Sequence, residues 1–446
     1  MRARGFLALL LLACTVAAGG AADEAAPAAA DPAGAEASDP EGAEPPPSRT
    51  ELRVGWDAGP TYGVVQRFPT LRAYDPTGVV QDVRLEGRIG GSLYLDGGLL
   101  GGSATSNGWE AAVRRLRLAT SGRFDYGFRT EYKVEFALES TSFYLNDFYL
   151  RWRPGRFGVD TIRIGYFDPP MSLEALASSS DRSLPEVAPP VAAFAPGLRS
   201  GIEIAGAFER ADVAWAVSLA SVGQTQPFGD ASTGTARGGL RLVWRPWNVS
   251  GGDAPTVLHL GASTGFTVTG SGELRWRSRP ETFLEDYAVD TQEVGGTAVA
   301  VGGEVGWRRG PLTVIAEALG SFVSPDDGPS RDIQGAYVQA SWALTGETRP
   351  YDAAVGVFRR LVPRAPFAPW RDGGGWGALE LTGRASWLDL TDGDLRGGRM
   401  ASFSLGPAWT ANEWVRVLAA YVFARTSARA DPGAYHVGQM RLELRF

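Results

Sequence analysis

One cysteine (Cys14), one lysine (Lys133) and two histidines (His259 and His436) are all that 446 residues contain of these types. Cys14 lies in an N-terminal apolar stretch, so a chain cleaved beyond it keeps no thiol. Disulfides, thiol catalysis and cysteine-bound metal are excluded together. The histidines are far apart and make no pair with metal-ligand spacing, so no metal and no other cofactor is expected. Beyond residue 22 no run of about 18 apolar residues occurs, which removes membrane-spanning helices. Charge of one sign is lacking too. The formal net charge is -7, and seven acids against three arginines in residues 1–50 account for -4 of it. The rest is too balanced for nucleic-acid binding.

Glycine, at 58 residues, and aromatics, at 11%, are plentiful, as many strands joined by turns require. Arg2 and Arg4, then Phe6 to Leu12, then small residues to Ala22 form a signal peptide over residues 1–22. Leu11-Leu12-Ala13-Cys14 also has the look of a lipoprotein cleavage box. Residues 23–50 are almost all Ala, Pro, Glu, Asp and Gly, too little apolar surface to offset chain entropy, and read as a disordered periplasmic linker. Residues 51–81 make a short N-terminal periplasmic segment with candidate strands Glu51–Trp56 and Thr61–Gln66.

From 82 to 446 the chain alternates. The clearest stretch is Phe124 to Leu138: Phe124, Tyr126, Phe128, Tyr132, Val134, Phe136 and Leu138 share one face, and Asp125, Arg129, Glu131, Lys133 and Glu135 the other. One such strand fits a soluble sandwich as well as a membrane barrel. Sixteen such segments decide between them, because the number is even and the joints alternate in length. Ser121-Gly122-Arg123, Glu209-Arg210-Ala211, Arg309-Gly310 and Ala411-Asn412-Glu413 are short, whereas 96–110, 168–199, 223–235, 269–297 and 426–434 are long. The expected fold is all-β, a transmembrane antiparallel β-barrel of about 16 strands over 82–446. Trp152, Tyr166, Trp244, Trp307, Trp342, Trp387, Trp409, Trp414 and Tyr421 lie toward strand ends, where aromatic girdles meet the bilayer interface.

The stretch from Ile162 to Glu174, with Gly165-Tyr166-Phe167-Asp168-Pro169-Pro170 inside it, resembles the phosphate-selective porin O and P family. Asp181 to Pro185, Ala193 to Gly197, Leu344 to Tyr351 and Trp376 to Leu381 continue the likeness in order across most of 82–446. The terminal Gln439 to Phe446 alternates without error and resembles the strand by which barrel-assembly machinery recognises its substrates. The resemblance implies a sixteen-stranded homotrimeric porin of the outer membrane, among lipid and lipopolysaccharide, passing small hydrophilic solutes or anions. It also implies an inward-folded third extracellular loop, here Asp168 to Arg199, carrying Glu174 and Arg182, with Leu173–Ala177 a short helix.

Phosphate-selecting members use a lumen ladder of arginines and lysines. By strand parity Arg115, Arg117, Arg129, Lys133, Arg151, Arg153, Arg163, Arg241, Arg245 and Arg384 face the lumen, with Glu131, Glu135, Asp147, Glu203, Glu304 and Glu380 among them. Where the family commonly has lysine after Gly-x-Phe, this chain has Asp168, which removes a cation near the constriction.

Other signals are weaker. Gly261-Ala262-Ser263-Thr264-Gly265 matches a nucleophile elbow in pattern, but no helix follows, and no catalytic constellation marks an enzyme. Ser324 to Gly328 reads as a solvated turn, with weak calcium binding as the alternative. Two functions stay open: a passive porin, anion-preferring or general, and a plugged structural barrel acting as an adhesin.

Overall fold

The computed structural model describes residues 51–56, 69–74, 84–105, 107–125, 129–139, 142–155, 158–221, 236–249, 251, 254–370, 374–427 and 432–446. Sixteen strands make one closed antiparallel barrel. They are β1 Arg84–Gly102, β2 Gly108–Asp125, β3 Arg129–Glu139, β4 Ser142–Trp152, β5 Thr161–Phe167, β6 Arg199–Phe208, β7 Val213–Ala220 and β8 Ala236–Val249. The others are β9 Thr256–Leu274, β10 Val294–Arg309, β11 Leu312–Pro325, β12 Arg331–Ala343, β13 Ala378–Asp392, β14 Leu395–Thr410, β15 Val415–Thr426 and β16 Gly433–Arg445. Each pairs with the next, and β16 closes on β1 from Tyr435↔Gly102 to Arg445↔Ser92. Phe446 extends the seam, accepting from Gly91 N at 2.7 Å and donating to Gly91 O at 3.1 Å. A Cβ on Gly91 would lie 2.6 Å from the Phe446 ring, so only glycine admits this approach.

Alternation works here as a membrane barrel requires, with apolar residues outward. On β8, Leu240 and Leu242 are 37% and 45% exposed while Arg241 between them is 4% exposed. Phe136, Phe148, Leu219, Phe266, Val338 and Phe403 continue the outer apolar surface. A tryptophan belt runs around the end that holds the start of β1 and the finish of β16, here the terminal end. Trp152, Trp244, Trp247, Trp307, Trp342 and Trp409 all close descending strands there, and Trp414 lies just before β15. Tyr166 departs from this pattern: it is buried (3% exposed), beside the lumen charges of Arg199 and Asp168, and belongs to no girdle.

All sixteen strands overlap the expected segments, but two joints differ: the long loop expected at 96–110 is mostly strand, with β1 running to Gly102 and β2 starting at Gly108. Residues 121–123, expected as a turn, lie within β2, so Phe124–Leu138 is not one strand: Phe124 and Asp125 end β2, and β3 begins at Arg129. The alternation in sequence keeps its phase from Phe124 to Tyr132, which hides the break between β2 and β3 from a period-two reading. Glu51–Trp56 pairs with Pro69–Tyr74, whose Leu71 pairs with Leu85 of β1. The expected strand Thr61–Gln66 lies outside the described residues.

The joints of the terminal end are not all short. Between β12 and β13 the chain runs through residues 344–377, and part of it enters the barrel. An apolar core accordingly sits inside the lumen toward the opposite, loop end. There Met171, Leu173, Val191, Phe194, Trp276, Leu284 and Val289 of inward segments pack on Ile333, Leu388, Leu390, Met400 and Val437 of the wall. Each fully buried side chain of this size contributes about 1.5–3 kcal/mol, so these segments are bound as firmly as a soluble core.

Candidate functional site in the lumen

Three segments fold inward, and each is fastened to wall side chains. The first, residues 168–198, joins β5 to β6 and carries helices α1 Leu173–Leu176 and α2 Pro189–Phe194. Ser172 caps α1 by accepting from Ala175 N at 3.1 Å, and Pro189 opens α2 where no amide donor is needed. Glu317 of β11 accepts from Leu173 N and Glu174 N, both at 2.9 Å, and from Tyr337 Oη at 2.7 Å. Glu174 takes Ala188 N at 3.0 Å and pairs with Arg384 of β13. Contacts to β11, β12, β13 and β16 from one loop are feasible only from within the ring, so this segment lies in the lumen.

The second segment, residues 275–293, joins β9 to β10. Its Glu281 accepts from Ser386 at 2.8 Å and from Ser402 and Ser404 at 2.6 Å each. The third, Arg349 to Arg360, rises from the terminal end. Arg241 donates to the Val355 and Gly356 carbonyls at 2.6 and 2.9 Å, and Arg245 to Ala353 O at 2.6 Å. Tyr351 Oη meets His259 Nδ1 at 2.8 Å, while His259 Nε2 meets Glu304 at 3.0 Å. The first and third segments join at Asp181, whose carboxylate accepts from Arg360 N at 3.0 Å and Arg359 at 3.2 Å. Arg349 adds bonds to Asp181 O at 3.0 Å and Ser183 Oγ at 2.7 Å, and pairs with Glu380.

The expected lumen residues therefore divide into two sets. Arg241, Arg245 and Arg384, with Glu304 and Glu380, are buried beneath the inward segments. Arg115, Arg117, Lys133, Arg151, Arg153 and Arg163 lie on β2 to β5 or just past β4, where the wall stays partly open. Arg129 opens β3, and its side chain lies outside the described residues. Each of the open set meets an acid. Arg117 lies 3.3 Å from Glu135, and Lys133 pairs with Asp147. Arg151 and Arg153 share Glu131 at 2.5 and 2.6 Å, and Arg163 holds Glu203 at 2.8 Å. Arg115 pairs with Glu139 and reaches Ser179 of the first segment at 3.0 Å.

Residues 85–446 match the family described as phosphate-selective porin O and P. This protein belongs to that family. Its place is the outer membrane. It is 24% identical to Porin O of Pseudomonas aeruginosa over 76% of this chain and 83% of that one. An uncharacterised Caulobacter vibrioides protein is 29% identical over 68% of this chain, and the match spans 60% of that relative's length. Among solved structures, the anion-selective porin from Comamonas acidovorans aligns with a TM-score of 0.51 at 13% identity, covering 81% of this chain and 100% of that one. That likeness is one of fold.

Two features of this porin escape strand parity. A bulge between Tyr94 and Leu95 leaves Arg114 without a partner on β1, and it turns inward beside Arg115. Arg114 reaches Glu186 of the first segment at 3.0 Å. A second bulge, between Glu135 and Phe136, does the same for Asn146 beside Asp147, and Asn146 bonds Glu135 at 2.6 Å. Though burial opposes it, Arg114 and Arg441 hold Glu186 well below the usual carboxylate range.

The second feature is pairing. Arg182 of the first segment has no carboxylate partner among the described residues, and its buried Nε is unbonded. Among the described residues, Arg199 at the head of β6 donates only to Leu198 O, at 2.7 Å, and Arg237 on β8 only to Thr267, at 2.9 Å. Asp168 sits among Arg163, Arg182 and Arg117; burial, with Asp147 beside it, still pushes its carboxyl up to about 6. Which of two lumen arginines stays unpaired is decided by neighbours on other strands and loops, and no local sequence pattern shows it.

Proposed function

We propose that this porin conducts small hydrophilic solutes along the arc of wall from β2 to β6, with a preference for anions and no strong selection for phosphate. The observation that carries the reading is the asymmetry of pairing in the open part of the lumen. Acids on its wall (Glu131, Glu135, Asp147 and Glu203) are each held by arginine or lysine. The cations Arg182 and Arg199 have no carboxylate partner among the described residues. A paired charge contributes little net field a few ångströms away, whereas an unpaired one attracts counter-ions into a low-dielectric passage. Asp168 among these cations weakens a site for a multiply charged anion, since it is ionised at neutral pH.

The inward segments support a narrow passage, and the partly exposed charges of β2 to β5 favour an open one over a plugged barrel. Residues 1–22 act in this reading as the export signal, 23–50 as a periplasmic linker and 51–81 as a short periplasmic segment, with Arg84 onward in the membrane. The assembly is a homotrimer surrounded by lipid and lipopolysaccharide, and crosslinking of the detergent-solubilised protein reads its subunit number.

The deciding test is single-channel conductance with reversal potential under a KCl gradient, repeated with added phosphate. Anion-selective current with little phosphate block is expected. Strong phosphate block would replace this reading by a true phosphate site despite Asp168, and absence of current would leave the plugged barrel.

A further inference from the structure

At the loop end, a cavity of about 390 Å³ lies between Arg114 of β2, Glu186, Val187 and Ala192 of the first inward segment, and Arg277, Arg279, Glu281, Phe283 and Tyr287 of the second. Its wall is an alternating stack of cations and rings. The Arg277 guanidinium carbon lies 4.0 Å from the centre of the Tyr287 ring, and Arg279 lies 4.9 Å from the same ring. Arg279 is 5.2 Å from the Phe283 ring, and Arg114 lies 4.1 Å from that ring on β2. The order is thus Arg277, Tyr287, Arg279, Phe283, Arg114.

The charges are unequal in what they are free to do. Arg114 is spent on Glu186 and Glu139. Arg277 and Arg279 have no carboxylate partner among the described residues. Arg279 donates to the carbonyls of Phe283, at 2.8 Å, and Glu285. Asp290, opposite Arg277 on the short strand pair, is held by Arg275 at 2.5 Å. The carboxylates that border the cavity are engaged elsewhere. Glu186 is bound by Arg114 at 3.0 Å and Arg441 at 2.5 Å, and Glu281 by three wall serines. Two guanidinium groups without a carboxylate partner among the described residues therefore share a cavity with two aromatic rings, one of them, Tyr287, 43% exposed.

From this arrangement we propose that the cavity binds small aromatic anions: an oxyanion held by Arg277 and Arg279, its ring laid against Tyr287 and Phe283. Guanidinium forks match carboxylate and phosphate oxygens two at a time, and rings add attraction that a bare ion lacks. The volume suits an organic ligand, since pockets for such molecules begin near 300 Å³. Inorganic phosphate would leave both rings without a partner. Set between the first and second inward segments, the cavity concentrates these solutes beside the passage. This rests on the porin reading for its use, but the binding itself does not.

Two measurements on the full-length protein in detergent and in planar bilayers separate the two. Calorimetric titration compares benzoate, phenyl phosphate, acetate and inorganic phosphate. Benzoate is expected to bind at least about tenfold more tightly than acetate, and phenyl phosphate more tightly than inorganic phosphate. Tyr287→Ala should weaken benzoate about fivefold, an effect of the order of base–aromatic stacking, and Tyr287→Phe should restore it. Replacing Arg277 and Arg279 together with glutamine should abolish binding of all four. Benzoate should also interrupt chloride current when added at the loop end. Equal affinity for acetate and benzoate would overturn the proposal, as would benzoate affinity unchanged in Tyr287→Ala. Binding with no current at all would leave the site standing and remove the porin reading.

Discussion

Ionic side chains line the lumen on both sides, yet the two sides live in different media. From β2 to β5 they stay partly hydrated: Arg117 is 20% exposed, Lys133 27% and Arg151 31%. From β8 to β16 they are sealed, with Arg241 at 4%, Arg441 at 2% and Arg384 at 0%. The residue types are the same, and so is the alternation that aims them inward. What differs is cover, because all three inward segments fasten to the second arc. An arginine there is a clamp for loop carbonyls and carboxylates, whereas Arg117 and Arg151 on the first arc pair with wall acids and keep part of their surface exposed. The same pattern on a barrel strand thus yields fastening or conduction according to what lies opposite.

The sharpest way to break this contrast is Arg384→Ala. Arg384 is bound to Glu174, to Gln339 at 2.7 Å and to Glu186 O at 2.8 Å, with Glu281 at 3.5 Å. Its removal leaves buried carboxylates uncompensated, at a cost of about 3–5 kcal/mol. The thermal midpoint in detergent should fall and single-channel conductance should rise several-fold as the first segment loosens. Arg151→Ala on the open arc, where Arg153 still holds Glu131, should cost no more than about 1 kcal/mol. Equal losses at the two positions would show that the arcs do not differ.

Next in size is Arg182→Gln, which removes an unpaired cation and should lower the anion-to-cation permeability ratio about threefold, read from reversal potential in a KCl gradient. Arg151→Gln, whose Glu131 partner keeps Arg153, should change that ratio by less than about 1.5-fold.

A smaller effect comes from pH. The Asp168 carboxyl is raised to about 6 by burial and Asp147, with Arg163, Arg182 and Arg117 opposing. Lowering pH from 7.5 to 5 protonates it, makes the lumen more positive and should raise anion preference, with the midpoint near that value. Asp168→Asn should show the high preference throughout and lose this step. The sign for stability is the same. A raised carboxyl favours the folded state below its unfolded value of about 3.9, and that contribution is lost as pH rises to about 6. The smallest change is expected for Arg153→Gln, under about 0.5 kcal/mol in unfolding measurements, because that pair is 42% exposed on the arginine side.

Much of this was legible beforehand. Sixteen strands, the seam and the first inward segment with its short helix follow from alternation, joint length and the stretch around Asp168. The break between β2 and β3 was not, because the alternation from Phe124 to Tyr132 keeps one phase in sequence. Arg114 and Asn146 were not, because a bulge shifts parity by one residue and leaves no mark on the strand that carries it. The inward course of Arg349 to Arg360 was hidden because its partners, Arg241, Arg245, Asp181 and Glu380, are scattered through the chain.

By itself, then, the sequence determined the barrel and its membrane-facing side, since period-two alternation states which atoms each strand offers to lipid and which to water. Only the tertiary structure decided where that water remains. Hydration of a lumen arginine depends on segments far away in sequence that fold across it, and their hold comes from hydrogen bonds between side chains on one element and backbone on another.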